Sequence, residues 1–454
     1  MLTSFFVGQL ALRYLGICGC IAAFSACGGR TPIELWEQPA TQSGGASGGV
    51  AAGSGGPEVC NGLDDDGDGE IDEDLPLAVE GEPVAVRVDE GRTDDGGNTN
   101  CDLCGWAWDP QLVMPGNELG VVWFLGIDGV SPRPTGFFRR LSWELEPRGA
   151  VSSLGDRDLL ETLGRGRTRT GTELLVFNER YNPTDFSSFA PLGSGFELGA
   201  SVALDVCASA ASALGSLSVL LPGLIGCANF GHYHTFMITD DGRGVLSHVD
   251  HTLSTTGNAY VHSSGRAFAA LNGDSGLLAM PLNLNNGRDQ LWTRRISARG
   301  EALGEPLQVL DSSQYLELEG LFSVPDGYLL FGADRSPLTP SQGRFTLALG
   351  LDGRPRGEPA YYDLELGGAD AIATIRVGSG IVLALASAQG LLVEQLDASG
   401  AITAQSLLEL PIFYALTPSL LFAHGHLYVA YAEDQRQGGP NRVMALRFGC
   451  ARAH

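Results

Sequence analysis

Asp64, Asp66, Asp68 and Asp72 recur in the order Asp-x-Asp-x-Asp-Gly-x-x-Asp, inside a 17-residue stretch, Glu58 to Asp74, that holds nine carboxylates and no basic residue. Such a block of like charge repels itself in water. At this spacing, however, alternate carboxylates can converge on one hard divalent cation, and Gly69 stands where a tight loop needs a residue without Cβ. The four aspartates take the first, third, fifth and ninth places of a calcium-loop pattern, with Glu70 at the seventh offering its backbone carbonyl. The twelfth place, where an EF-hand requires a bidentate glutamate, is Leu75, and no helical pattern flanks the loop. Glu73 or Asp74 can substitute from nearby. All-oxygen ligands select Ca²⁺ over softer metals, and an exported loop of this kind binds it weakly, on the order of 10⁻⁴ to 10⁻³ M. The opposing reading is an acidic linker without a metal.

The same residues, Glu58-x-Cys60-Asn61-Gly62-x-Asp64-Asp65-Asp66-x-Asp68-Gly69-x-x-Asp72-Glu73, resemble the MopE-type metal-binding motif of bacterial surface proteins. That resemblance implies a surface location and a link to copper or calcium. Family members often carry a second cysteine at the place of Gly67, which leaves Cys60 here in need of a distant partner or none. Copper would want imidazole or sulfur ligands, and no histidine lies in the motif, so calcium is expected.

Other residues able to do chemistry are scattered. Beyond the N-terminal segment six cysteines remain, Cys60, Cys101, Cys104, Cys207, Cys227 and Cys450, an even count that suggests disulfides in an oxidising compartment. Cys207 with Cys227 closes a short apolar segment and is the first pairing expected. Cys101-Asp102-Leu103-Cys104 lacks both a thioredoxin-like context and a second CxxC that would complete a zinc site. His232-Tyr233-His234, His248 and His251 with Asp250, and His424-Gly425-His426 could ligate a metal, but hydrogen-bonded histidines at strand edges are commoner. No Gly-x-Ser-x-Gly elbow in a strand-to-helix context, phosphate loop, dinucleotide fingerprint or His-Glu-x-x-His is present.

The flanking sequence says where these residues operate. Tyr14 to Phe24 is an apolar run of 11 residues behind Arg13, too short to span a bilayer. It ends Phe24-Ser25-Ala26-Cys27-Gly28-Gly29, which resembles the bacterial lipoprotein signal, with Cys27 at the position that is acylated. Cys20 fits that position less well, and cleavage near Ala26 with plain secretion is the alternative. The resemblance implies a chain held to the lipid bilayer through acylated Cys27, with no transmembrane helix after processing. Residues 28–57 are rich in Gly and Ser and form a tether of about 30 Å r.m.s. reach.

From residue 77 to 454 the chain changes character. Short apolar runs rich in β-branched and aromatic residues recur between Gly, Asp, Asn and Pro, among them Val121–Leu125, Tyr328–Phe331, Ile381–Leu385 and Leu427–Tyr431. The segment Ala200–Ile225 contains Asp205 and Pro222 and reads as buried strand rather than a membrane span. Gly-then-apolar starts fall at Gly265, Gly327, Gly380 and Gly425. Gly turns fall at Asp128-Gly129, Asp241-Gly242, Arg299-Gly300, Asp352-Gly353 and Ser399-Gly400, and Gly304-Glu305-Pro306 returns as Gly357-Glu358-Pro359, 53 residues later. A loose period near 50 with four strands per unit predicts an all-β propeller of six to eight blades, seven by division. The alternative is a pair of β-sandwich domains. Pro83 to Val88 is expected to close the ring beside Val443 to Phe448.

A net charge of −25 excludes nucleic acid as an expected partner, since phosphate binding needs clustered Lys and Arg. The sequence therefore predicts a lipid-anchored protein of the bacterial cell envelope, at the outer membrane or cell surface. It would carry a weak calcium loop and a non-catalytic propeller that binds a protein or glycan. An exported propeller hydrolase or lyase acting on polysaccharide or protein is the alternative.

Overall fold

Seven four-stranded antiparallel sheets stand in a ring in the computed structural model. It describes residues 76–88, 106–126, 135–154, 159–168, 170–181, 184–204, 208–214, 217–222, 232–253, 267–284, 288–312, 315–336, 339–362, 371–387, 390–409, 414–434 and 442–450. Blades 1 to 6 are simple meanders over 106–153, 159–203, 208–252, 268–312, 315–362 and 371–409. Blade 7 takes three strands, Tyr414–Ala423, His426–Asp434 and Arg442–Cys450, from the end of the chain, and its outer strand, Leu77–Val88, from the front. Inner strands of successive blades touch, and Tyr414–Ala423 touches Trp106–Val113, so the ring is closed. A pair of sandwiches would cover each sheet on one face only; here every blade has a neighbour on both. The expected closure is present, with Val84 opposite Ala445 and Ala85 opposite Met444.

Two-sided burial explains the continuous apolar runs. Along Ile381–Ala386, Ile381 and Leu383 join one core with Leu329 and Phe331 of blade 5. Val382, Ala384 and Ala386 join another with Val429 and Tyr431 of blade 7. A strand with one solvated face would alternate with polar residues. The outer strands do alternate or stay exposed: from Thr403 to Glu409 every other position is exposed, and Pro147–Ser153 is exposed throughout. The segment read as strand near residue 200 supplies Val202–Ala203, Ala208–Leu214 and Leu217–Pro222. Among the described residues no helix is long and apolar enough to cross a membrane.

The period of about 50 has a physical origin in the turn between third and outer strands. In six blades this turn is the same tight loop, in which one residue adopts positive φ and donates its N–H to the carbonyl three residues earlier. The positive-φ residues are Leu145, Phe196, Gly242, Gly300, Gly353 and Gly400, with φ from 65° to 86°. Four are the glycines expected from sequence. At Gly242 and Gly353 a Cβ would also stand 2.5 Å and 2.7 Å from Leu174 and Leu277 of the preceding blade. Threonines on third strands dock onto these turns: Thr235 donates to Gly300 O and Thr293 to Gly353 O, both at 3.0 Å. Thr293→Val keeps the shape but strands the buried carbonyl, and should cost about 1–2 kcal/mol in urea unfolding.

Two sequence expectations need correction. Asp128-Gly129 lies outside the described residues, between second and third strands rather than third and outer, so it is not part of the turn series. Gly265 precedes the inner strand of blade 4, whereas Gly327, Gly380 and Gly425 belong to the hairpin between inner and second strands; in blade 4 that hairpin carries Gly273, and Ser275 takes the place of Gly327 and Gly380.

Candidate functional site on blade 3

The third strand of blade 3, His232–Ile238, pairs with the outer strand Val245–Thr252 so that His234 faces Asp250 and Phe236 faces His248. Strand alternation sends the two parities to opposite neighbours. Phe236 packs with Leu174, Val176 and Phe189 of blade 2, whereas Tyr233 packs with Leu278 and Met280 of blade 4. His234, His248 and Asp250 therefore share one face, while His251 lies on the other. The grouping of His248 with His251 suggested by their proximity in sequence is thus split by the pleat.

On the blade 2 side, His234 Nδ1 and His248 Nε2 are 3.0 Å apart, and the His248 ring stacks on Phe236 at 4.3 Å and 8°. The nitrogen separation is close to the ~3.3 Å edge of a tetrahedral zinc site, computed from Zn–N bonds of about 2.0 Å. Yet among the described residues no group of three His, Cys, Asp or Glu is arranged to hold a metal ion. The pair as it stands is a hydrogen bond in which one imidazole donates to the other. The His232 side chain lies outside the described residues.

On the blade 4 side the hydrogen-bond directions fix a tautomer. The single Thr235 hydroxyl proton goes to Gly300 O, so the hydroxyl oxygen accepts from His251 Nε2–H at 2.9 Å. Burial, with Arg294 nearby, lowers the His251 pKa to about 4, against an upward pull from Asp250. The imidazole is neutral in the fold but protonates near its ordinary value when unfolded. Its stabilisation is therefore present above about pH 6.5 and is lost as pH falls toward 4. Between pH 7.5 and 5.5 the loss should be on the order of 1 kcal/mol, and His251→Gln should abolish that part of the slope in denaturant titrations.

Two further described histidines, His424 and His426, lie at the ring's seam. His424 and Gly425, both at positive φ, make the turn before His426, whose Nδ1 donates to His424 O at 2.7 Å. Glu80 on the closing strand meets Arg447 Nε at 2.7 Å and His426 Nε2 at 3.4 Å. Arg447 and Tyr428 both donate to Trp143 O of blade 1, at 3.1 Å. This cluster ties the front of the chain to blades 7 and 1.

Near the axis Arg165, on the inner strand of blade 2, is fully buried beside Glu173, with a 3.9 Å ion pair. Its guanidinium also donates to Leu420 O of blade 7 at 2.6 Å. Blades 2 and 7 are separated in the ring by blade 1, so this hydrogen bond links two blades that are not neighbours. Burial raises the Glu173 pKa despite the opposing charges of Arg165 and Arg167. Sequence inspection passed over Arg165 because one arginine in Gly164-Arg165-Gly166-Arg167 carries no periodic signal.

The calcium-loop residues Asp64, Asp66, Asp68, Glu70, Asp72 and Glu73, the lipidation cysteine Cys27, and Cys60, Cys101, Cys104, Cys207 and Cys227 all lie outside the described residues. Cys450 is described, and it is disulfide-bonded.

No protein-family model matches the chain, and no curated protein does. Among solved structures it is similar to the acylaminoacyl peptidase of Pyrococcus horikoshii, at 11% identity over 75% of this chain and 50% of that one, with a TM-score of 0.43. It is also similar to the sialidase of Trypanosoma rangeli, at 6% identity, 76% and 55% coverage and TM-score 0.40. A gluconolactonase of Xanthomonas campestris matches at 14% identity, 76% and 87% coverage and TM-score 0.35. The chain spans about half the length of the first two. At these identities the likeness concerns fold alone.

Proposed function

We propose that this protein is a lipid-anchored, non-catalytic binding propeller of the bacterial cell envelope, joined to its anchor by a calcium-stiffened acidic segment. The observation that carries the reading is the position of Leu77–Val88. This strand begins three residues after Asp74 and is built into blade 7, so the tether and motif lead directly into the ring's closure. The strand starts at the end of the ring that carries the first-to-second and third-to-outer turns. In this reading the anchor lies on the side where Leu77 starts, and the opposite end meets a protein or glycan. The Phe24–Gly29 resemblance supports acylation at Cys27, and the carboxylate spacing supports Ca²⁺ as the ion.

The test is growth of the native bacterium, or an exporting host, with an alkynyl fatty acid. Label on the wild type that disappears in Cys27→Ser is expected; label unaffected by that change overturns the anchor. Calorimetry with CaCl₂ at millimolar concentration should show binding that Asp64→Asn with Asp68→Asn removes. Turnover of peptide or polysaccharide substrates would instead establish the enzyme reading.

A further inference from the structure

Strand direction sorts the cysteines into two groups. Inner strands start at the upper end of the ring and finish at the lower end, second strands return, and third strands descend again. Cys450 ends the descending third strand of blade 7 and therefore lies at the lower end, opposite Leu77 in register. Cys104 and Cys101 come two and five residues before Trp106, where the inner strand of blade 1 starts at the upper end. Cys207 immediately precedes Ala208, where the inner strand of blade 3 starts, also at the upper end. Cys227 lies between Pro222 and His232, an ascending strand's end and a descending strand's start, five residues from each.

The distances separate the groups. The nine-residue third strand of blade 7, Arg442–Cys450, spans about 26 Å over its eight intervals at ~3.3 Å each, with Cys450 at its lower end. Five extended residues reach at most about 17 Å, and a disulfide tolerates a Cα separation below about 7 Å. None of the four upper cysteines can therefore reach Cys450. Cys60 precedes Leu77 by 17 residues, enough to cover about 55 Å, and Leu77 is Cys450's neighbour across the ladder.

We infer that Cys450 is bonded to Cys60, closing the calcium-type residues Asp64 to Glu73 into a covalent loop on the ring's seam. The inference rests on the reading of Cys18, Cys20 and Cys27 as signal and acylation residues, which removes them as partners. The link is formed by thiol–disulfide exchange: the two thiols lose two protons and two electrons to an oxidised dithiol catalyst of the export compartment, which leaves as the dithiol. It joins residues far apart in the chain, so its loss frees a large unfolded ensemble. It also holds together the ends of a self-repelling acidic segment, reducing the ordering that a cation must otherwise impose.

The test is peptide mapping by mass spectrometry of the full chain, exported by a bacterium and alkylated without reduction. A disulfide-linked pair of peptides carrying Cys60 and Cys450 is expected. In Cys60→Ser, Cys450 should become alkylated. Cys60→Ser and Cys450→Ser should each lower Tm by roughly 5–10 °C, with no further fall in the double variant. The wild type should bind Ca²⁺ several-fold more tightly than Cys60→Ser, and a ratio of one overturns the preorganisation. Cys450 linked to Cys101, Cys104, Cys207 or Cys227, or alkylated in the wild type, overturns the pairing. If the acyl label sits on Cys27 in such a sample, the pairing fails and the lipoprotein reading stands. Cys450 linked to Cys27 would defeat both.

Discussion

Replacing Arg165 with methionine will destabilise the ring by about 3–5 kcal/mol at neutral pH, measured by guanidinium unfolding, although the new side chain is apolar and similar in length. The loss comes less from the 3.9 Å ion pair than from what it leaves behind: Glu173, only 3% exposed, retains the Met114 N–H and the more distant charge of Arg167 but loses the guanidinium beside it. The carbonyl of Leu420 loses its donor as well. The pH dependence separates this cause from lost packing. Burial already raises the Glu173 pKa, and removing Arg165 takes away one of the charges that lower it. A carboxyl with a raised folded pKa contributes its stability fully below the unfolded value and loses it as pH rises. The Arg165→Met deficit should therefore be larger at pH 7.5 than at pH 5, and Glu173→Gln in the same chain should restore part of it at pH 7.5. An equal deficit at both pH values would contradict the buried-charge account.

The second large effect is at Phe196. This residue occupies the positive-φ position of its turn, φ 65°, yet is fully buried, stacked on Phe138 of blade 1 at 5.2 Å with Arg140 at 5.5 Å from its ring. Its ring fills the space over Gly120, where a Cβ would approach within 2.1 Å of it. Phe196→Ala should cost about 3–5 kcal/mol through the cavity it leaves. Phe196→Gly removes still more volume, yet it relieves a left-handed backbone that costs a non-glycine residue about 1–2 kcal/mol. The glycine variant should therefore unfold at higher denaturant than the alanine variant, the reverse of the order at an ordinary strand position. The opposite ranking would show that the backbone strain at this turn is negligible.

Leu145 and Phe196 also mark where repeats stop being legible. Gly242, Gly300, Gly353 and Gly400 disclosed the period because glycine is the residue that tolerates both positive φ and a neighbouring blade's side chain against its Cα. In blades 1 and 2 the same turn is filled by a large apolar knob. It accepts the backbone strain and recovers burial against the preceding blade, so no glycine signal remains. The histidines illustrate the same limit from the other side. Two residues apart, as in His232 and His234, a strand guarantees a shared face. The contact between His234 and His248, however, depends on cross-strand register, and the separation of His248 from His251 depends on the pleat.

The class of the fold and much of its architecture are legible in local pattern. Unbroken apolar strands require cover on both faces, a period near 50 sets the number of four-stranded units, and an N-terminal apolar strand without a unit of its own has to pair with the last one. The expectation of a cation at Asp64 to Glu73 likewise comes from the sequence, since ligand type and spacing are local properties. Which side chains cross between strands and blades emerges with the folded ring: Thr235 to Gly300, Arg165 to Leu420, and Glu80 to Arg447 and His426. These contacts join residues tens to hundreds of positions apart. They are set by strand direction and the radial order of the blades, which no local pattern encodes. The same strand directions place Cys450 beside Leu77, at the end of the ring opposite the starts of the inner strands Trp106–Val113 and Ala208–Leu214, a separation that exists only once the ring has closed.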